Sequence, residues 1–148
     1  MILAHLLIGI ILGKLYGNYL LFILGSILPD IDHIFIIVKN KIYTLEKIID
    51  SIRYEKEYNL NYKTALFHSL FGLVIFSLMV YIFVGNKAIY FSAAYLLHLL
   101  IDWPDTDTKY FLYPLKTKFK GFLPIWSKPE QILTIILILT IAILFLLN

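Results

Sequence analysis

Cysteine is absent from the 148-residue chain. Its absence excludes disulfide bonds, thiolate metal sites and a cysteine nucleophile, so a metal would need histidine, carboxylate, carbonyl or water ligands. Charged residues are scarce at 16%, whereas hydrophobic residues reach 60% and the mean hydropathy is +0.82. A soluble domain has about 45–50% apolar residues, and a chain of this length cannot bury the excess. The composition therefore predicts that much of the protein is solvated by lipid.

Positive charge is missing from the start of the chain. No Lys or Arg precedes the first apolar run and no convincing small-x-small cleavage site follows it, so we expect Met1 to begin a retained helix rather than a signal peptide. The sequence predicts an all-α, multi-pass membrane helical bundle of about five hydrophobic helices, with residues 1–148 forming a single membrane domain. The apolar runs cover residues 1–16, 19–28, 64–84, 87–103 and 131–147.

The first two apolar runs are short. Spanning a bilayer takes roughly 20 residues, and both arms of this predicted hairpin fall below that length. The hairpin either spans with tilt or membrane thinning, or re-enters without crossing, and both alternatives return the chain to its starting side. Small residues spaced four apart favour close helix packing in membranes, and the first run shows this pattern at Gly9, Gly13 and Gly17. Simple conformational tolerance of glycine is the alternative explanation.

The segment 39–63 is the first polar stretch. Apolar residues recur within it at i, i+3, i+4 and i+7, and charged residues fill the remaining face. This pattern predicts an amphipathic helix on the cytoplasmic membrane surface, with Thr44 as its N-cap. A small soluble cap over the bundle is the alternative. The apolar positions are Leu45, Ile48, Ile49 and Ile52.

The segment 105–128 mixes lysines such as Lys109 with aromatic side chains such as Trp126. Beside spanning helices, this composition favours an interfacial belt in which aromatic rings lie at head-group level and lysines snorkel toward anionic lipid. Membrane lipid is therefore the expected partner, and nucleic acid is disfavoured. Asp105 and Asp107 are predicted to be solvated loop residues that approach the site.

Ionisable residues are concentrated at positions 30–33, inside an apolar run that extends over 19–38. A helix normally ends at or before the residue that precedes a proline, so Pro29 predicts a helix break that presents these carboxylates. Farther along, His98 and Asp102 are four apart and share one helical face. An ionisable residue within a membrane segment marks a functional site by default.

Basic residues divide unevenly between the two sides of the predicted bundle. With alternating spans, the N-terminus and the segments 39–63 and 105–128 share one face, which holds 11 of the 13 Lys and Arg residues, Lys56 among them. The positive-inside rule places that face in the cytoplasm. All four histidines and three intramembrane aspartates then fall at one depth, near the cytoplasmic leaflet of the cell (inner) membrane.

Imidazoles and carboxylates at one depth can bind a divalent metal. Without a soft ligand, these groups fit Zn, Mn or Fe, and a bound metal activates water for hydrolysis. Asp32 and His68 are the predicted catalytic residues, since an Asp or His that is not needed as a ligand can act as general base. The predicted metal-ligating residues are His5, Asp30, Asp32, His33, His68, His98 and Asp102.

Other interpretations stay open at this point. Each histidine taken alone also fits a structural side chain bonded to a backbone carbonyl, and Asp102 fits a solvated helix end. The set also fits a metal- or proton-conducting protein, or a partner-binding membrane anchor with a structural metal or none. Conduction predicts polar residues through the full membrane depth, whereas this sequence has them on one side. Ser69 is a weak candidate nucleophile because no base is dedicated to it.

Four segments together resemble a known family. The segments are Ala-His-Leu-Leu at 4–7, Gly-Ser-Ile-Leu-Pro-Asp-Ile-Asp-His at 25–33, Phe-His-Ser-Leu at 67–70, and His-Leu-Leu-Ile-Asp at 98–102 with Pro114 downstream. The most specific piece is Leu-Pro-Asp-Ile-Asp-His at 28–33. With these motifs the chain is similar to the YdjM-like inner-membrane family of metal-dependent hydrolases, also described as LexA-binding. The resemblance implies a multi-pass membrane protein with a metal-dependent hydrolytic site, in which the seven residues named above occupy the polar motif positions.

Two features depart from the family pattern. The His-Arg pair usual before the third motif is replaced by Lys63 and Thr64, and the glycine after the last aspartate motif has no clear counterpart near Lys109. The first departure implies one fewer metal ligand or the loss of an anion-holding arginine, for which Lys63 supplies a positive charge.

The expected substrate is an ester or phosphoester of a membrane-associated, lipid-like molecule that reaches the site sideways.

Overall fold

The structure is a computed structural model that describes residues 2–54, 57–58, 60–124 and 127–147. Met1, Lys56 and Trp126, which entered the sequence analysis, lie outside the described residues. Over those ranges the chain is helical and forms no strand, which confirms the all-α prediction. The helices are α1 (Ile2–Tyr16), α2 (Tyr19–Ile27), α3 (Ile31–Lys39), α4 (Leu45–Arg53), α5 (Leu70–Val84), α6 (Ala88–Asp102) and α7 (Lys128–Leu146).

Three helical stretches are long and apolar enough to cross a membrane, namely Tyr19–Lys39, Leu70–Asp102 and Lys128–Leu146. The first joins α2 to α3 through a 3₁₀ turn at Leu28–Asp30, and the second joins α5 to α6 through a 3₁₀ turn at Gly85–Lys87. Helix α1 is apolar as well but has only 15 residues. These elements agree with the predicted multi-pass helical bundle.

Glycine shapes the hairpin formed by α1 and α2. Gly17 turns the chain with a φ of +76°, a conformation that other residues rarely adopt. A Cβ at Gly9 would collide with the side chain of Ser26 on α2. A Cβ at Gly13 would likewise collide with Tyr19. The predicted glycine pattern therefore provides close helix packing at two positions and a turn at the third.

Helices α5 and α6 form a second antiparallel hairpin. Gly85 turns the chain with a φ of +59°. Partway along the arms, the hydroxyl groups of Ser92 and Ser77 form a hydrogen bond of 2.8 Å. The two arms therefore run in opposite directions, although their residues form one continuous apolar stretch in the sequence.

Helix α2 packs parallel to α6. Phe22, early in α2, lies against Tyr90, early in α6, with ring centroids 5.3 Å apart. One turn later, a Cβ at Gly25 would collide with the carbonyl of Phe91 and crowd Ala94. The missing side chain at Gly25 therefore allows the last turns of α2 and α6 to approach each other closely.

Helix α7 runs beside α1 in the same direction, because Lys14 near the end of α1 lies 4.8 Å above the ring of Phe145 near the end of α7. The starts of α1, α5 and α7 and the ends of α2 and α6 consequently lie together. We call this the site end of the bundle.

Of the two helices predicted in the middle of the chain, one is confirmed and the other begins later than predicted. The amphipathic helix is confirmed as α4, and its N-cap Thr44 accepts a hydrogen bond from the backbone N–H of Lys47 at 3.4 Å. The run 64–84 predicts one continuous helix, but α5 begins only at Leu70 because the hydroxyl of Ser69 caps it. His68 therefore lies in the turn before α5 and not on a helix.

Candidate metal centre

The site end brings together all seven predicted site residues. Six of them are buried, and His33 is partly exposed. Pro29 provides the predicted break as a single 3₁₀ turn between α2 and α3. We call the seven residues the His/Asp cluster. They are His5 from α1, Asp30 from the 3₁₀ turn, Asp32 and His33 from the start of α3, His68 from the turn before α5, and His98 and Asp102 from the end of α6.

Potential ligand atoms converge within this cluster. One ligand atom each from His5, Asp30, His98 and Asp102 lies within 4.8 Å of the other three. His68 adjoins the same carboxylates, with Nε2 3.5 Å from Asp102 Oδ2 and 3.9 Å from Asp30 Oδ1. These separations are longer than good hydrogen bonds, so the groups are near one another without satisfying one another.

The position of the ring proton on His98 follows from its neighbours. His98 Nδ1 lies 2.7 Å from the carbonyl oxygen of Ser26, which can only accept, so Nδ1 carries the proton of the neutral ring. The unprotonated Nε2 lies 3.7 Å from Asp30 Oδ1 and 3.5 Å from Asp102 Oδ2, and none of the described residues forms a hydrogen bond with it. A buried lone pair that faces two carboxylate oxygens fits a cation between them.

Asp32 orients His68 in a similar way. Asp32 Oδ2 lies 3.1 Å from His68 Nδ1, and it accepts hydrogen bonds from the backbone N–H and the hydroxyl of Thr64 at 2.8 and 3.0 Å. In the neutral ring the carboxylate favours a proton on His68 Nδ1, and Nε2 is then the unprotonated nitrogen. Among the described residues Nε2 has no hydrogen-bond partner. Carboxylate–histidine pairs of this kind hold the ligands of many metal sites in place.

His5 and His33 lie at two edges of the cluster. His5 Nε2 is 3.0 Å from Asp102 Oδ1, and its ring stacks on His98 with centroids 3.7 Å apart. His33 Nδ1 is 2.9 Å from Asp32 Oδ1. Each of these two histidines therefore contacts one carboxylate closely enough to fix the direction of that side chain.

Lys63 lies among three carboxylates. Its Nζ is 2.8 Å from Asp102 Oδ2, 2.8 Å from Asp105 Oδ2 and 3.5 Å from Asp107 Oδ2. Burial alone would lower the pKa of Lys63, but these carboxylates outweigh burial and raise that pKa above its ordinary value. The prediction that Asp105 and Asp107 are solvated is wrong, since both are buried beside Lys63. We call these four residues the Lys63 network.

Residues 105–124, the described part of the predicted interfacial segment before the gap at 125–126, fold back against the site end. Lys109 is completely buried, and its Nζ donates hydrogen bonds to the backbone carbonyls of Trp103 and Asp105. Its backbone also pairs with that of Phe119 through two hydrogen bonds of 2.9 Å. The prediction that Lys109 snorkels to lipid is therefore wrong, because backbone carbonyls solvate its ammonium group instead.

Sequence reasoning underrated two contributions to this centre. Thr64 appeared only as a departure from the family pattern, yet it supplies two of the donors to Asp32. Lys63 was expected to supply charge, and its pairing with Asp102 required the fold. A signal existed for both, since they occupy the positions of the replaced His-Arg pair. The carbonyl of Ser26 has no such signal, because any residue carries one.

Comparison with known families gives one match. Residues 1–147 match the model of the YdjM inner membrane protein family, and the chain belongs to that family. Searches of curated proteins and of solved structures find no match. The match confirms the resemblance carried by the four motifs, and an inner membrane protein agrees with the three stretches able to cross a membrane.

Proposed function

We propose that this member of the YdjM family is a membrane-bound, metal-dependent hydrolase whose metal is held by the His/Asp cluster. One observation carries the proposal. The Nε2 atoms of His68 and His98 are buried and face the carboxylates of Asp30 and Asp102, and neither atom has a hydrogen-bond partner in the part of the chain that the structure describes. Lys63 reaches Asp102 Oδ2 at 2.8 Å, but in the contacts of the described residues it reaches neither Asp30 nor the two Nε2 atoms. A cation between the two histidines and the two carboxylates would satisfy all four groups.

The proposed ligands are His68, His98, Asp30 and Asp102. Zinc binds histidine and carboxylate at about 2.0–2.2 Å in tetrahedral sites, which puts neighbouring ligand atoms roughly 3.4 Å apart. The four separations between Nε2 and carboxylate oxygen are 3.5, 3.5, 3.7 and 3.9 Å. Histidine and carboxylate also suit Mn and Fe, so the donor set fits a divalent metal of this group.

Buried charge supports the same proposal. The site end contains five buried aspartates and two buried lysines, Lys63 and Lys109. With neutral histidines, this leaves an excess of negative charge in a region of low dielectric, which is costly without a counter-ion. A divalent cation removes most of the excess. The aspartates are Asp30, Asp32, Asp102, Asp105 and Asp107.

The residues of the His/Asp cluster take distinct roles in this proposal. A divalent metal lowers the pKa of water and so supplies a nucleophile for hydrolysis at neutral pH. Of the two predicted catalytic residues, we assign His68 to the metal and Asp32 to positioning His68. Asp30 Oδ2, which is buried and has no hydrogen-bond partner, is placed to accept a proton. His5 positions the carboxylate of Asp102, and His33 positions the carboxylate of Asp32.

We infer that the substrate is an ester or phosphoester of a membrane-associated, lipid-like molecule. The support is positional, because the cluster lies where the apolar helices α2 and α6 end and α1, α5 and α7 begin. The distribution of basic residues favours placing this end, with the N-terminus, on the cytoplasmic side of the membrane.

A structural metal in a partner-binding membrane anchor is the second candidate. The observation that favours it is burial, since all four proposed ligands are buried and structural metal sites are closed, whereas catalytic sites keep an open position. The two candidates share the metal and differ in whether water and substrate reach it.

Metal analysis of the purified full chain tests the proposal. We expect close to one equivalent of metal in the wild type and in Thr117→Val, a control at an exposed position, and a loss in His98→Ala and Asp30→Ala. Less than about a tenth of an equivalent in the wild type after incubation with Zn, Mn and Fe would overturn the metal site. With metal bound, hydrolysis of generic phosphoester and carboxyl-ester probes separates the hydrolase from the structural site.

A further inference from the structure

A cavity of about 600 Å³ opens beside the His/Asp cluster, between the start of α1, helix α4 and the start of α7. We propose that it holds an alkyl chain of the lipid-like substrate and presents the adjoining ester to the cluster. This inference rests on the proposed function, since it takes the cluster as the reaction centre.

The cavity walls are mainly aliphatic. Ile2 and Leu3 come from α1, Ile49 and Ile52 from α4, and Ile135 from α7. The volume lies in the range of about 300–1,000 Å³ that is typical of small-molecule sites. Walls of this chemistry favour a hydrocarbon chain over a polar metabolite, because they leave few partners for polar groups.

His33 connects the cavity to the cluster. It lines the cavity, and its Nδ1 lies 2.9 Å from Asp32 Oδ1 and 3.7 Å from Asp30 Oδ1. It is also the partly exposed member of the cluster. A chain in the cavity therefore ends beside a proposed metal ligand, which is where a scissile ester would have to lie.

The surroundings show how a chain could reach the cavity from the bilayer. Ile135 lines the cavity and is 56% exposed, and its neighbour Ile136 on the same helix is 53% exposed. Leu3 on the opposite wall is 53% exposed. The rim of the cavity is thus continuous with apolar surface on α1 and α7, so a lipid chain can slide in without its hydrocarbon crossing water.

The first turns of α7 add a polar wall. Glu130, Gln131 and Thr134 line the same cavity as the aliphatic residues. An amphiphile has the matching combination, with a hydrocarbon chain joined to a polar ester or head group. A second copy of this chain, by contrast, would have to insert a helix into a cavity that is bordered on three sides.

Photo-crosslinking in lipid nanodiscs tests the inference. The probe is a long-chain fatty alcohol that carries a diazirine, added to the full-length protein in phosphatidylcholine nanodiscs with and without a chelator. We expect peptides containing Ile2–Ala4 and Ile49–Ile52 to be labelled in excess over the outward face of α7. Because the chain is held by the walls of the cavity, chelation should leave this pattern unchanged.

Two matched variants sharpen the test. Ile135→Trp fills the cavity and should reduce labelling of α4 about tenfold. Ile136→Trp adds the same bulk one residue away, outside the cavity, and should leave labelling within about twofold of the wild type. Equal effects of both variants, or even labelling around α1 and α7, would overturn the cavity as a chain site, and so would a crosslink between two copies of the chain.

The two proposals fail separately. Concentrated labelling in a protein that binds no metal would overturn the hydrolase and, with it, the substrate assignment. Even labelling in a protein that binds metal and hydrolyses ester probes would overturn the alkyl-chain site alone.

Discussion

The two charged regions of the site end, the His/Asp cluster and the Lys63 network, share Asp102 but satisfy their charges differently. In the Lys63 network an ammonium group lies 2.8 Å from two carboxylates and 3.5 Å from a third. In the His/Asp cluster, the Nε2 atoms of His68 and His98 lie 3.5–3.9 Å from carboxylate oxygens and have no hydrogen-bond partner. One region is completed by a cation of the chain. In the other, two histidine nitrogens and Asp30 Oδ2 have no hydrogen-bond partner among the described residues.

This difference separates what the chain can stabilise alone from what it leaves to a ligand. A buried carboxylate needs a cation or hydrogen-bond donors, and Lys63 supplies both to the network. In the contacts of the described residues, Asp30 forms no ion pair with a lysine and accepts no hydrogen bond from a backbone N–H. We therefore expect removal of Lys63 to affect folding, and changes at Asp30 to depend on whether metal is present.

The largest expected effect is that of Lys63→Met. It leaves Asp102, Asp105 and Asp107 without their shared cation, and breaking a buried ion pair on one side costs about 3–5 kcal/mol. The measurement is the free energy of unfolding in detergent, compared with Lys116→Met, which removes an exposed lysine. The exposed change should cost less than about 0.5 kcal/mol. Equal effects of the two variants would mean that solvent, and not Lys63, compensates the three carboxylates.

The next largest expected effect is that of Asp30→Asn on stability, and its sign depends on whether metal is bound. In metal-free protein, Asp30→Asn should raise stability by about 1–3 kcal/mol, because its amide can donate to a histidine lone pair and because charge near Asp102 falls. In metal-loaded protein the same variant should be less stable than the wild type, since a ligand is lost. Thermal unfolding with added Zn and with chelator measures both. Destabilisation under both conditions would show that the protein itself already satisfies Asp30.

The sequence predicted much of this cluster because its residues are unusual where they occur. Charged side chains in apolar runs are conspicuous, and the alternation of spans by itself assigns His5, His68 and His98 to one end of the bundle. Helix packing was visible as well, in the spacing of Gly9 and Gly13. These features depend on residue type and position along the chain, which a sequence states directly.

The Lys63 network was predicted poorly for the opposite reason. Lysines and aspartates in a polar loop are ordinary, and solvation is the default interpretation for Asp105, Asp107 and Lys109. Their burial depends on how the segment 105–128 folds back over α6, through pairings such as Lys109 with Phe119. Such pairings involve backbone atoms that every residue carries, so the sequence gives no local signal for them.

A smaller effect is expected from Thr64→Val, which tests whether the two regions communicate through their neighbouring residues 63 and 64. The variant removes the hydroxyl donor to Asp32 Oδ2 but keeps the backbone donor. Loss of a contact to a residue that orients a metal ligand typically lowers metal affinity by about 10–100-fold. Because the backbone N–H of residue 64 still donates to Asp32, we expect a loss of metal affinity near tenfold. Metal titration with Thr117→Val, an exposed control, measures it. Unchanged affinity would restrict Asp32 to a structural role.

The smallest effect concerns Lys109, the second buried lysine of the site end. Burial, with a contribution from the charge of Lys63, lowers the pKa of Lys109 to about 8 from an ordinary value of 10.5. The unfolded chain therefore holds this proton more tightly than the folded protein, so the contribution of Lys109 to stability should rise as pH increases from about 8 towards 10.5. Lys109→Gln retains a donor for the carbonyls of Trp103 and Asp105 but has no titrating group. The stability difference between wild type and variant should be flat below pH 8 and should then shift in favour of the wild type. A difference that stays flat throughout that range would mean that the carbonyls and Asp105 hold the ammonium group as well as water does, and Lys109 would then belong with Lys63 as a fully compensated cation.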